Sequence, residues 1–126
     1  MTKKYYVKLK INYKDNFYNH LAVISIYGNS VEEVRLQAIQ HVELWNNFKT
    51  ATIEDISSSP MYVYNYFIES KLKYKNGNVK YLKFNITAEN KENAEKEFRK
   101  IIKRWKKVVA FEILEIDFRT QQPHQE

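Results

Sequence analysis

The chain contains no cysteine, two glycines, two prolines and three histidines. The missing cysteines exclude disulfides, thiol chemistry and cysteine-ligated zinc. They suit a reducing compartment, so a cytoplasmic location is the default expectation. Two glycines leave no glycine-rich loop able to cradle a phosphate. His20, His41 and His124 lack metal-ligand spacing, so neither a metal nor a cofactor is expected. The sequence has no apolar run long enough for a membrane-spanning helix. Its N-terminus, Met1 to Lys8, alternates instead of building an apolar signal core.

What remains is a chain of 126 residues, 44% hydrophobic and 15% aromatic, which fits a packed globule. The net charge of +6 is unevenly placed. Residues 1–60 carry seven basic and six acidic side chains, and residues 61–126 carry fourteen and nine. Such a surplus attracts phosphate backbones or acidic proteins. Lys, Asn, Ile and Tyr supply 51 of the 126 residues, a bias that an AT-rich genome produces by itself. In overall composition the chain is similar to small phage-encoded proteins.

Trp45 and Trp105 lie sixty residues apart, and the apolar pattern around the first recurs around the second. At that offset Ile26 falls on Ile86, Glu32 on Glu92, Ile53 on Ile113 and Ile56 on Ile116. Only five of the 37 pairs from residues 20–56 against 80–116 are identical, so the repeat lies in the pattern more than in identity.

Val7, Leu9, Ile11 and Tyr13 alternate with polar residues and predict a half-buried strand. A turn begins at Lys14-Asp15-Asn16, and a second strand follows with Ala22, Ile24 and Ile26 inward. Ser30 and Glu33 form a capping box for a helix to about Asn47, whose inner stripe is Val31, Val34, Ala38, His41, Val42 and Trp45. A third strand covers Ala51–Ile56. The second half repeats this order. Ile68, Ser70, Leu72 and Tyr74 alternate, and Asn76-Gly77 predicts a two-residue hairpin with positive φ at both positions. Leu82, Phe84 and Ile86 face inward, and Asn90 caps a helix to about Lys107 with Ala94, Phe98, Ile101, Ile102 and Trp105 inside. A last strand spans Val109–Phe118. The change of phase between Ile53 and Ile56, repeated between Ile113 and Ile116, predicts a β-bulge in both halves.

The expected fold is therefore α+β: a tandem duplication of a ββαβ unit, with about six mainly antiparallel strands and two helices. A right-handed crossover gives each unit the strand order 2-1-3. The expected boundaries are residues 1–56 for the first copy, 57–61 for a linker, 62–118 for the second copy and 119–126 for a polar tail. Copies this small are expected to share a core.

No catalytic constellation is visible, and a non-enzymatic interaction module is expected. Glu54, Asp55, Glu112, Glu115 and Asp117 cluster on the third strands. Charged strand edges that block aggregation are the commoner use of such residues. The two copies differ on their outward faces. The second offers a basic set, Lys96, Arg99, Lys100, Lys103 and Lys107 on its helix with Lys71, Lys73, Lys75 and Lys83 on its strands. This set predicts contact with nucleic acid or an acidic protein, with Tyr81 as a stacking surface. Lysine-based contacts imply weak sequence specificity. The first copy offers Leu21, Val23, Tyr27, Leu36, Ile39 and Leu44, which predict a protein partner or homo-oligomer, as in a structural or inhibitory virion-associated protein. No membrane partner is expected. Residues Ile86–Glu95 and the strand Ile113–Asp117 resemble part of the archaeal ribosomal LX protein family. That resemblance implies a strand, capped helix and strand order and RNA binding for the second half alone.

Overall fold

The computed structural model describes residues 2–14 and 20–121. Its elements are β1 (Lys3–Tyr13), β2 (His20–Gly28), α1 (Val31–Val42), β3 (Phe48–Ser57), β4 (Tyr64–Tyr74), β5 (Val79–Ala88), α2 (Lys91–Lys103) and β6 (Val108–Gln121). The fold is α+β. The chain divides into two compact units: unit 1 runs up to Val63, and unit 2 is Tyr64–Gln121. Each holds a three-stranded sheet, ordered β2-β1-β3 in unit 1 and β5-β4-β6 in unit 2, with every neighbouring pair antiparallel. None of the helices among the described residues is long and apolar enough to cross a membrane. The turn expected at Asp15-Asn16 lies outside the described residues, as does His124.

The bulges occur in equivalent places. In unit 1 Lys8 faces Asp55 while Leu9 faces Ile53, so Glu54 is the extra residue. In unit 2 Glu69 faces Glu115 while Ser70 faces Ile113, so Leu114 is extra. The extra residue restores Ile56 and Ile116 to the face that carries Ile53 and Ile113. A second irregularity skips Lys49 in β3 and Val109 in β6.

Both helices start where the capping residues place them. Ser30 Oγ accepts the Glu33 amide at 3.2 Å, and Asn90 Oδ1 accepts the Asn93 amide at 2.8 Å. Glu33 reaches back to the Asn29 amide (2.9 Å), one residue earlier than a capping box requires. Both helices end about one turn earlier than expected, at Val42 and Lys103. Tighter i to i−3 bonds take over there: Trp45 N–H donates to Val42 at 3.1 Å, and Trp105 N–H donates to Ile102 at 2.9 Å. Each turn then ties back to its hairpin. Lys14 N–H donates to the Asn47 carbonyl at 2.7 Å, and Lys75 N–H donates to that of Lys107 at 2.8 Å. Asn47 takes the left-handed conformation (φ 61°), which Asn tolerates better than most residues.

The hairpin at Asn76-Gly77 differs from its expected form. Gly77 has φ 87°, but Asn76 is not left-handed. Gly77 N–H donates to the Tyr74 carbonyl (3.0 Å), and Tyr74 N–H donates to Asn78 (2.9 Å). These bonds make a three-residue loop with a left-handed glycine. Asn76 Oδ1 accepts the Asn78 amide at 3.0 Å, a local bond that stabilises the tight turn without positive φ at Asn76.

In unit 1 the core comprises Val7, Leu9, Ile11, Ala22, Ile24, Val34, Ala38 and Val42. Val31, expected on the inner stripe, is 41% exposed at the first position of α1. In unit 2 Ile68, Leu72, Phe84, Ile86, Phe98 and Ile102 are buried. Phe98 packs edge-on against Phe84 at 5.1 Å and Phe111 at 5.6 Å. Both tryptophans are half-buried. The expected tail begins later than the sequence suggests, because Arg119–Gln121 continue β6. Thr120 pairs with Asn65, whose Nδ2 donates to Thr120 Oγ1 at 2.8 Å. Arg119 lies over the Phe67 ring at 4.7 Å.

Gly28 is required by close packing. A Cβ there would lie 2.6 Å from Val34 Cγ2, and the β-branched Val34 is fully buried and stiff. Gly28→Ala is expected to cost about 1–3 kcal/mol in a denaturant melt, the usual range for overpacking. An unchanged midpoint would show that the approach is not tight.

Candidate functional site

The expected basic residues fall on two opposite sides of unit 2. On β4, Ile68, Ser70 and Leu72 are buried while Lys71 and Lys73 alternate with them, so the lysines occupy the sheet face away from α2. Tyr81 and Lys83 of β5 share that face. There, charges of both signs meet. Lys71 is paired with Tyr81 on one side and Glu112 on the other. Glu69 is paired with Lys83 and Glu115. The sheet face is thus a mixed lattice with little net field.

The helix side is different. Lys96, Arg99, Lys100 and Lys103 recur at spacings of three and four and stay exposed on α2. Exposed ion pairs join Arg99 to Glu95 (3.4 Å) and Lys100 to Glu97 (3.3 Å); such pairs contribute at most about 0.5 kcal/mol. Between the end of α2 and the start of β6 lies an open cleft of about 680 Å³. Its lining is Lys75, Arg99, Ile102, Lys103, Trp105, Lys106 and residues 108–111. Among the described residues this lining contains four cations and no carboxylate. Lys75 enters from the β4–β5 hairpin, held by its backbone bond to Lys107.

The cleft also has aromatic walls. Trp105 packs against Phe84 (5.6 Å), and the Arg99 guanidinium lies 5.3 Å from the Phe111 ring centroid, a cation–π geometry. The sequence pattern does not mark Phe111 as a site residue, and it marks Trp105 only as a core anchor. Both are half-buried, so each serves packing and lining together. The useful signal is the absence of acidic residues from Ile101 to Phe111.

The apolar set of unit 1 is also divided. Leu36 and Leu44 are exposed (61% and 85%) on and just beyond α1, and Tyr27 is exposed (62%) on β2. Val23 is not available at the surface, being only 1% exposed; it sits across from Lys8 of β1. Ile39 packs against the unit 1 core. At the equivalent of Phe111 unit 1 has the small Ala51, which also packs against that core. In unit 2 the position of Ile39 is held by Arg99, which lies over the Phe111 ring. Leu21 and Leu44 both line an open cavity of about 580 Å³, together with Tyr13, His20, Ala22, Trp45 and Asn46. Burial raises the Tyr13 phenol above its ordinary pKa.

Of the carboxylates on the third strands, Glu54 pairs with Lys10 at 3.2 Å and Asp117 with Arg119 at 3.4 Å. Among the described residues no group of three or more His, Asp or Glu side chains is placed to hold a metal. The chain matches no protein-family model, no curated protein and no solved structure.

Proposed function

We propose that this chain is a non-enzymatic binding module, built by duplication of a ββαβ unit, whose second unit holds nucleic acid at the cleft between α2 and β6. The observation that carries this reading is the cleft lining: Lys75, Arg99, Lys103 and Lys106 converge there and no carboxylate lines it, Glu95, which pairs with Arg99, lying outside the lining. A phosphate chain gains from such convergence because each cation it meets releases a condensed counterion. Three of the four are lysines, which act as point charges and read no base, so binding is weakly dependent on sequence. Duplication is supported by the matching strand orders, the bulges at Glu54 and Leu114, and the paired backbone bonds at Lys14 and Lys75. The cleft belongs to one unit only, since the positions matching Arg99 and Lys103 hold Ile39 and Glu43.

Fluorescence anisotropy of labelled oligonucleotides tests the reading. Binding is expected at about 50 mM salt and should weaken as salt rises, more steeply the more phosphates the cleft holds. Four phosphates held give a slope of about −3 in log affinity against log salt for a single strand. Arg99→Ala with Lys103→Ala should reduce that slope by about 1.4. Absence of binding at about 50 mM salt, where phosphate contacts are strong, would remove the reading.

A further inference from the structure

The same cleft indicates which form of nucleic acid it takes. We infer that it receives single-stranded nucleic acid, with one unpaired base stacked at Trp105 and Arg99 and the flanking phosphates on Lys75, Lys103 and Lys106. This rests on the nucleic-acid reading above and narrows it.

Three observations favour the single strand. First, the four cations line a concavity, whereas a duplex needs a projecting element to enter its groove or a broad basic surface along its backbone. The sheet face of unit 2 does not extend such a surface, because Glu112 opposes Lys71 and Glu69 opposes Lys83. Second, the cavity of about 680 Å³ lies in the range of clefts that enclose a small ligand. It therefore suits an unstacked nucleotide. Third, the aromatic surface is inside the basic cleft. Trp105 leans on Phe84 while also lining the cavity, and the Arg99 guanidinium is already held over Phe111. A base has π-faces that can use both planes, and such stacking tolerates any sequence. A bare phosphate chain can use neither.

The test uses the full chain carrying Trp45→Phe, so that indole emission reports Trp105 alone. Oligodeoxythymidine, oligouridine, a DNA duplex of the same length and inorganic polyphosphate of matched charge are titrated in turn. The expected result is at least tenfold tighter binding of a single strand than of duplex or polyphosphate, with quenching of Trp105. Preference between the two single strands assigns the sugar. Trp105→Leu, made without the Trp45 change and read by anisotropy, should weaken the single strand about 5- to 150-fold, the range that loss of one stacked base spans. That residue also supports the core, so the exposed Arg99→Lys is the second variant. It keeps the charge but loses the planar guanidinium, and should weaken the single strand by more than it weakens polyphosphate. Equal affinity for polyphosphate or duplex, or single-strand binding without a change in Trp105 emission, overturns the inference and leaves the nucleic-acid reading standing. Failure of every probe to bind at about 50 mM salt overturns both.

Discussion

Phe98→Ala should unfold unit 2 more readily than any other single truncation there, at an expected loss of about 3–5 kcal/mol. The ring is fully buried and bridges Phe84 and Phe111. Its removal loses the transfer energy of the side chain, leaves a cavity, and breaks two edge-on aromatic pairs worth about 0.5–1.5 kcal/mol each beyond their area. A unit this small buries too little surface to absorb that loss easily. In a urea melt followed by Trp105 emission, with Trp45→Phe as background, the transition should shift to much lower denaturant or lose its folded baseline. A shift worth less than about 1 kcal/mol would mean that the neighbours collapse into the space, and that the aromatic cluster is not the keystone of the unit.

Phe98 also explains which parts of the fold are legible in the sequence. Strand order, caps and bulges can be read because each depends on a local rule. Ser30 and Asn90 are followed at the right distance by an amide that needs an acceptor, and the phase change from Ile53 to Ile56 marks an inserted residue wherever it occurs. The last helical turns cannot be read, because nothing in residues 43–47 or 104–107 breaks a helix. The shortening comes from backbone bonds to the hairpins at Lys14 and Lys75, which are tertiary contacts. The candidate cleft is half legible. The cations on α2 share a face by periodicity alone, but Phe111 joins Arg99 only after the chain has crossed to β6. Treating Lys71 and Lys83 as part of the same surface fails for a simpler reason. Strand alternation puts them beyond the sheet from the helix, and the carboxylates set opposite them, Glu112 and Glu69, follow from register, which no local pattern provides.

The two cores reach the same packing by exchanging volume between positions, and this exchange can be tested in unit 1. The counterpart of Phe98 is Ala38, and the counterpart of Ser70 is Leu9. Unit 2 thus sets a small residue on the central strand beneath a large one on the helix, while unit 1 does the reverse; all four are fully buried. Phe98 touches Phe84 and Phe111, which lie in the rows flanking Ser70, so its ring spans the space that the short Ser70 leaves. The same logic relates Gly28 and Val34 to Ala88 and Ala94, where the helix residue shrinks as the strand residue gains a Cβ. Leu9→Ser alone should cost about 2–5 kcal/mol through the cavity it opens. Its hydroxyl would have a partner, because Ser70 Oγ donates to the Leu82 carbonyl at 3.2 Å and Leu9 is paired with Ala22 at the matching place. Ala38→Phe alone should cost about 1–3 kcal/mol by overpacking. Combined, the two should cost less than their sum by about 0.5–3 kcal/mol, the coupling found for residues that share one space. Denaturant melts of the wild type, both single variants and the double variant measure that coupling. Strict additivity would show that positions 9 and 38 fill separate spaces, and the size exchange between the units would then have no structural meaning.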